Sequence, residues 1–324
     1  MIYSDLCVRE PVVAIRGRNL FNGFRDLARH PSALRRPLKL ASARMLPGRA
    51  LKFASRFAEA TVLDVHDHPV LQLAALGLAL PASDAASTLR DFKNHVAAFD
   101  VLIAQTTSFA DLAGLPADKT LIIPNGTDPR RFRQVPPPAM PVVGLVSGAA
   151  PGRGIELLIA SVREVRTELP EVRLRMAISA PSESSRAYLS ELLARTVADP
   201  WIDVVSLSYD QVPQFLETVS VTAVPHPSGE YMDAIVPVKL FDSMMSGRPL
   251  VVTPRTETVR VVNTHQVGEV APGDSPSDLA GAILRLLNDP DRAARLGRNG
   301  REAAASTYAW DVLSKQVTQH LTGR

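Results

Sequence analysis

A single cysteine, Cys7, stands in 324 residues, so no disulfide framework can hold this chain and the fold must rest on its core. No apolar run reaches 18 residues. The longest, Pro69–Pro81, is too short to cross a bilayer and contains Gln72. The N-terminus lacks the basic-then-apolar pattern of a secretory signal, which predicts a cytoplasmic location. No serine sits in a Gly-x-Ser-x-Gly elbow and Cys7 has no evident base, so acyl transfer is unsupported. Neither a Gly-Lys-Ser/Thr phosphate loop nor the six-residue dinucleotide fingerprint is present. His66, Asp67 and His68 invite a metal, but adjacent strand residues point to opposite faces and zinc-site spacing is missing. No metal and no cofactor are expected.

What remains is an ordinary soluble composition, 46% hydrophobic and 21% charged. The length exceeds the usual single domain of about 150 residues, so two domains are expected. Charge is unevenly divided. Between Arg16 and Arg56 there are 11 Lys/Arg and one acid, Asp26, a local +10. The whole chain carries +3, so the remainder sums to −7. Leu20, Phe21, Phe24 and Leu27 fall at helical spacing within that segment, and Leu51, Phe53 and Phe57 recur in a second helical stretch. Such helices lie on anionic lipid or attract an acidic substrate; the plainer alternative is a core stripe with a solvated basic face. No nucleic-acid motif accompanies the charge, and no nucleic-acid partner is expected.

Strand and helix patterns alternate along the chain. Val12–Ile15 reads as a strand, followed by helical, Arg-rich sequence to about Ala60. Ala60–Val65, Val101–Gln105 and Thr120–Ile123 read as further strands with helices between. The polar, proline-rich stretch Asp128–Pro138 divides the chain into residues 1–137 and 138–324. Beyond it, strands at Val142–Val146, Arg173–Ile178, Ile202–Leu207, Val219–Val224 and Pro249–Val252 alternate with helices. That rhythm predicts a doubly wound parallel α/β sheet. Helices close the chain at Leu279–Asn288, Asp291–Thr307 and Ala309–Leu321.

Three places carry candidate chemistry. The loop Pro225–Val236 runs through Pro237-Val238-Lys239 into a helix, so backbone N–H groups and a lysine meet at a helix N-terminus suited to a phosphate. One turn later, Asp242 can accept hydrogen bonds from vicinal hydroxyls such as those of a ribose. The loop Ser147–Gly154 follows a strand and opens a helix; Gly148 lets backbone approach a phosphate, and Arg153 offers a forked donor. His66, at the carboxyl end of its strand, stands where ligands of open α/β sheets bind, or caps the following helix.

These signals occur in one known order, over residues 100 to 324. Leu121-Ile122-Ile123-Pro124-Asn125-Gly126-Thr127-Asp128 resembles the interdomain Val-Ile-Pro-Asn-Gly-Val-Asp segment of retaining GT-B glycosyltransferases of the family 4 type (glycosyl transferases group 1). Gly148 to Gly154, Lys239 to Pro249 and Tyr308-Ala309-Trp310 are similar to that family's phosphate loop, E-x7-E helix and closing aromatic-Trp helix. The resemblance implies two Rossmann-like domains facing a central cleft, with terminal helices crossing back to the first domain. Trp310 would bury its ring there and find a partner for its N–H. It further implies sugar transfer from a nucleotide diphosphate sugar to a hydroxyl acceptor, with retention and without metal. Arg153 and Lys239 would hold the diphosphate with the amides near Gly148 and Val238, Asp242 the ribose, and His66 the donor sugar.

Departures temper the pattern. The first glutamate falls at Ala234, leaving Asp233 or Glu230 to contact the sugar, and the second is Asp242. The arginine of the phosphate loop falls on Gly148, and its lysine is Arg153. The first domain looks shortened. Its basic segment is expected to serve the acceptor side, for an anionic or lipid-linked acceptor or by peripheral contact with an anionic bilayer. The runner-up reading is a non-catalytic GT-B subunit that binds nucleotide sugar.

Overall fold

A computed structural model describes Val12–Ala14, Lys39–Ala41, residues 61–78 and residues 80–322. Two compact units divide the chain. One gathers Met1–Ala74, Ala79–Pro124 and Trp310–Arg324; the other gathers Ala75–Leu78 and Asn125–Ala309.

The first unit is built on five parallel strands in the order β1-β2-β3-β4-β5. These are β1 (Val12–Ala14), β2 (Lys39–Ala41), β3 (Thr61–Val65), β4 (Val101–Ala104) and β5 (Thr120–Ile122). Helices α1 (Pro69–Ala75) and α2 (Ala82–Ala97) follow β3, and α3 (Thr107–Leu112) follows β4. Strands β3 and β4 are buried throughout, as parallel strands covered on both faces must be. Asp100 aligns them: its Oδ2 accepts both the amide and the hydroxyl of Thr61 at 2.7 Å. Strand β2 corrects the sequence expectation of unbroken helix to about Ala60. Lys39–Ala41 pairs with β1 and β3, and sheet pairing overrides local helical pattern. The rest of Arg16–Arg56, including its apolar stripes, lies outside the described residues.

The second unit alternates strand and helix as expected. Its strands are β6 (Val142–Gly148), β7 (Arg173–Ser179), β8 (Ile202–Val205), β9 (Val221–Val224), β10 (Leu250–Val252) and β11 (Gly268–Val270). They form a parallel sheet in the order β11-β10-β9-β6-β7-β8. The intervening helices are α4 (Ile155–Glu168), α5 (Glu183–Thr196), α6 (Val212–Glu217), α7 (Glu230–Ala234), α8 (Val238–Met245) and α9 (Thr256–His265), followed by α10 (Pro276–Leu287) and α11 (Pro290–Ser306). Three of these elements, α7, α9 and β11, are not apparent in the sequence pattern. Two are very short, and α9 is rich in Thr and Val, which are poor helix formers. Two apolar clusters cover the sheet. Val143, Leu145, Met176 and Ile178 pack with Leu158 and Ile283 in one, while Val142, Leu250 and Val252 pack with Leu240, Phe241 and Met244 in the other. The alternation of Val142 and Val143 between them follows the two-residue period of a strand.

Strand order reverses between β6 and β9. The loops leaving their carboxyl ends, 149–154 and 225–237, therefore flank the crevice where such sheets bind ligands.

The division between units falls after Pro124, ahead of the proline-rich connector expected to mark it. Hydrogen bonds give the reason. Asn125 Nδ2 donates to Val236 O at 2.9 Å, Arg301 Nη2 to Phe132 O at 3.2 Å, and Arg248 Nη2 to Pro136 O at 3.2 Å. The connector is thus part of the second unit. Only the last helix, α12 (Trp310–Thr322), returns to the first. Trp310 is buried there among Val62, Val101, Ile103, Ile123 and Leu313, but among the described residues its indole N–H has no partner, contrary to expectation.

Candidate functional site

The two loops at the strand reversal touch through a glycine. Gly154 has φ +70°, and a Cβ there would lie 1.6 Å from Pro225 O, so only glycine lets the loop after β6 lie against the loop after β9. Gly148 differs: a Cβ there would meet only Ser179 Oγ, at 3.9 Å. That is ordinary contact, so Gly148 is not required there by crowding. Beside it, α8 begins after Pro237 with no side-chain cap among the described residues; Leu240 N donates to Pro237 O at 3.0 Å, which leaves the earlier amides of the turn to face a ligand.

Together these elements line a cavity of about 330 Å³. Gly148, Arg153, Val238, Lys239 and Asp242, separated in sequence, all line it, with Ser147, Ser179 and Tyr209. Positive charge is concentrated at one end. The stem of Lys239 lines the cavity, but its Nζ is shut from solvent and has no hydrogen-bond partner among the described residues. Burial first, and then the Arg153 guanidinium, push its ammonium down to about 7.

His226, two residues beyond β9, is fully buried. Neither of its ring nitrogens has a partner among the described residues. Burial holds its pKa well below the usual histidine range, with Lys239, Arg153 and Arg255 adding to the effect. Thr253 Oγ1 fixes this turn by donating to His226 O at 2.6 Å, and Arg255 is ion-paired with Asp274. Sequence reasoning missed His226; its place just past the strand at the reversal was the available signal.

Asp242 is 3% exposed. Thr127 Oγ1 donates to its Oδ1 at 2.6 Å. Burial pushes its carboxyl up to about 6, opposed by the Thr127 hydrogen bond, the Arg131 charge and the Tyr209 hydroxyl. Arg131 lies 3.8 Å over the Tyr209 ring and donates to the Tyr209 carbonyl. The sequence pattern singled out neither Tyr209 nor Arg131.

The remaining candidates stand elsewhere. Glu230 and Asp233 lie on α7 and do not line the cavity. Asp233 Oδ1 instead accepts the Thr256 amide at 3.1 Å, closing the first turn of α9. His66, in the first unit, follows β3 and pairs with Asp64. The helix-capping role weighed for His66 belongs to His68, whose Nδ1 accepts the Leu71 amide at 3.1 Å.

Residues 140–289 match the family described as Glycosyl transferases group 1. A GDP-mannose-dependent alpha-(1-6)-phosphatidylinositol monomannoside mannosyltransferase of Mycobacterium tuberculosis is 26% identical over 230 residues, 66% of this chain and 58% of that protein. A D-inositol 3-phosphate glycosyltransferase of Acidothermus cellulolyticus is 27% identical over 237 residues, covering 67% and 51%. The chain thus spans little more than half the length of these relatives. Among solved structures, sucrose-phosphate synthase from Thermosynechococcus elongatus superposes with a TM-score of 0.72 at 19% identity, covering 95% of this chain and 80% of that one. HepE from Anabaena, solved with UDP and glucose, gives 0.67 at 18%, covering 88% and 78%. Loop, helix and family match coincide within residues 140–289, and the chain has the GT-B fold of these glycosyltransferase structures.

Proposed function

We propose that this protein transfers a sugar from a nucleoside diphosphate sugar to a hydroxyl acceptor. One observation carries the reading: Arg153, Lys239 and the uncapped start of α8 converge on one cavity with Asp242. A departing diphosphate gains charge in the transition state, and preorganised donors in a buried site stabilise that charge most. Arg153, Lys239 and the amides near Gly148 and Val238 are assigned to the diphosphate, and Asp242 to the ribose. Among the described residues no three His, Cys, Asp or Glu side chains are grouped to hold a metal ion. The charge stabilisation is assigned to the cations, and a metal-free reaction rests on the family resemblance. Retention by front-face attack is assigned on the family resemblance, since Asp242, which lines the cavity, is given to the ribose. His66 is assigned to the donor sugar on the family resemblance.

The mannosyltransferase relative is named for a phosphatidylinositol mannoside acceptor. With the +10 balance of Arg16–Arg56, this supports an anionic or lipid-linked acceptor and contact with an anionic bilayer. Among the described residues no helix is long and apolar enough to cross a membrane. Co-sedimentation with anionic vesicles that weakens at high salt supports the lipid version; equal recovery with neutral vesicles removes it.

A second reading, a non-catalytic nucleotide-sugar-binding subunit, is favoured by Ala234 and by the engagement of Asp233 with α9. A thermal-shift screen with UDP-, GDP-, ADP- and dTDP-sugars tests both. Only a ligand of the folded state raises the melting temperature, by about 2.7 kcal/mol of stability at one hundred times Kd. Binding with acceptor-dependent release of nucleoside diphosphate supports the transferase, binding without release supports the second reading, and no shift with any donor defeats both.

A further inference from the structure

We propose that Thr127 is a positioning residue: its hydroxyl holds Asp242 so that the pair reads the ribose hydroxyls of a nucleoside diphosphate as one unit. The inference rests on the donor reading above and deepens it. Thr127 is fully buried, so its hydroxyl needs an internal partner. That partner is Asp242 Oδ1, at 2.6 Å and across 115 residues of chain.

Both ends of this bond are fixed by the same packing. The Thr127 amide donates to Tyr308 O at 2.9 Å, and Thr127 pairs with Ala309 in a single parallel bridge. The Tyr308 ring lies 4.6 Å from the ring of Phe241, which precedes Asp242 on α8. Thr127, which stands where the resembled motif has valine, and Asp242, which stands where it has glutamate, therefore meet in one contact.

An aspartate has only two side-chain torsions, and an O–H bonded to Oδ1 sets the second. The carboxylate plane is then held, and Oδ2 is assigned as the acceptor for the ligand. Thr127→Val keeps the shape of the side chain and removes only the donor. It tests orientation more than packing.

The probes are UDP and GDP, each compared with its 2′,3′-dideoxy analogue by calorimetry, with melting temperatures recorded alongside. The wild type is expected to prefer the ribonucleotides by at least about tenfold. Asp242→Asn and Thr127→Val should each narrow that preference severalfold, mainly by weakening the ribonucleotides, and Thr127→Ser should retain it. The double variant should lose little more than either single one, since the residues act together. A merely structural Thr127 would lower the melting temperature and leave the preference intact, which overturns the proposal. So does an equal loss for ribo and dideoxy ligands. If Thr127→Val does not fold, Asp242→Asn decides, and an unchanged preference in it overturns the proposal. A wild type that binds UDP or GDP and its dideoxy analogue equally defeats the Thr127 inference alone, whereas one that binds neither nucleotide defeats the donor reading and this inference with it.

Discussion

His66 Nε2 lies 2.9 Å from Asp64 Oδ2, two residues back on β3, where side chains share a face of the strand. Asp64 is buried and His66 is not, so the carboxylate is the fixed partner and the imidazole the presented one. The hydrogen bond to Asp64 leads the causes that raise the histidine pKa, ahead of the opposing effect of burial. Bound through Nε2, the ring leaves Nδ1 to other partners. Gln105, from the end of β4, steadies the same turn by donating to His66 O at 3.2 Å.

Asp64→Asn should therefore lower the His66 titration midpoint and loosen its tautomer, observable by NMR of the ring nitrogens. Because the folded pKa is raised, the pair stabilises the fold at pH below the ordinary histidine value of 6.5 and loses that contribution as pH rises through the folded value. An unmoved midpoint would show that Asp64 does not govern His66.

Donor binding and kcat/KM should follow a bell-shaped pH profile. Asp242 must be ionised to accept hydroxyl hydrogens, so activity rises through about 6; Lys239 must be charged to hold phosphate, so it falls above about 7. Asp242→Asn should remove the acid limb, and Lys239→Met the alkaline one. Lys239 also predicts a stability trend. Between about 7 and its ordinary 10.5 the unfolded chain binds a proton that the ligand-free fold does not, so stability rises with pH across that window. Denaturation of wild type and Lys239→Met at pH 7 and 10 measures the difference, and parallel behaviour of the two proteins would contradict it.

Arg153→Ala should reduce turnover at least about tenfold, a loss of about 1.4 kcal/mol of transition-state stabilisation. The effect is expected mainly in kcat, because charge on the diphosphate grows as the bond breaks. Steady-state kinetics at saturating donor tests this, and wild-type turnover would remove Arg153 from its assigned role.

Arg248 predicts a stability effect away from the cavity. It is 4% exposed and donates to three carbonyls, those of Leu216, Glu217 and Pro136, closing the end of α6 and binding the connector. Arg248→Ala strands these acceptors at a cost of about 1–3 kcal/mol. Urea titration should show the loss, while affinity for nucleoside diphosphate stays unchanged. A shift in affinity without loss of stability would reverse the assignment.

Apart from α7, α9 and β11, the order of elements in the second unit was legible from residues alone, because buried parallel strands read as short apolar runs and glycines mark where backbone meets ligand. Gly148, Arg153, Val238, Lys239 and Asp242 could be nominated on that basis, since a loop after a strand and the first turn of a helix are local features. What local pattern could not convey was contact across the chain. The bond from Thr127 to Asp242, the diversion of Asp233 to the Thr256 amide and the burial of His226 beside Lys239 all join residues from different elements. Nor could composition reveal that the connector is tied to the second unit, because the groups that bind its Phe132 and Pro136 carbonyls, Arg301 and Arg248, lie more than a hundred residues further on. Sequence determined which groups can carry charge and accept protons; tertiary packing decided which of them are desolvated together, and desolvation is what moves Lys239 and Asp242 towards neutral pH.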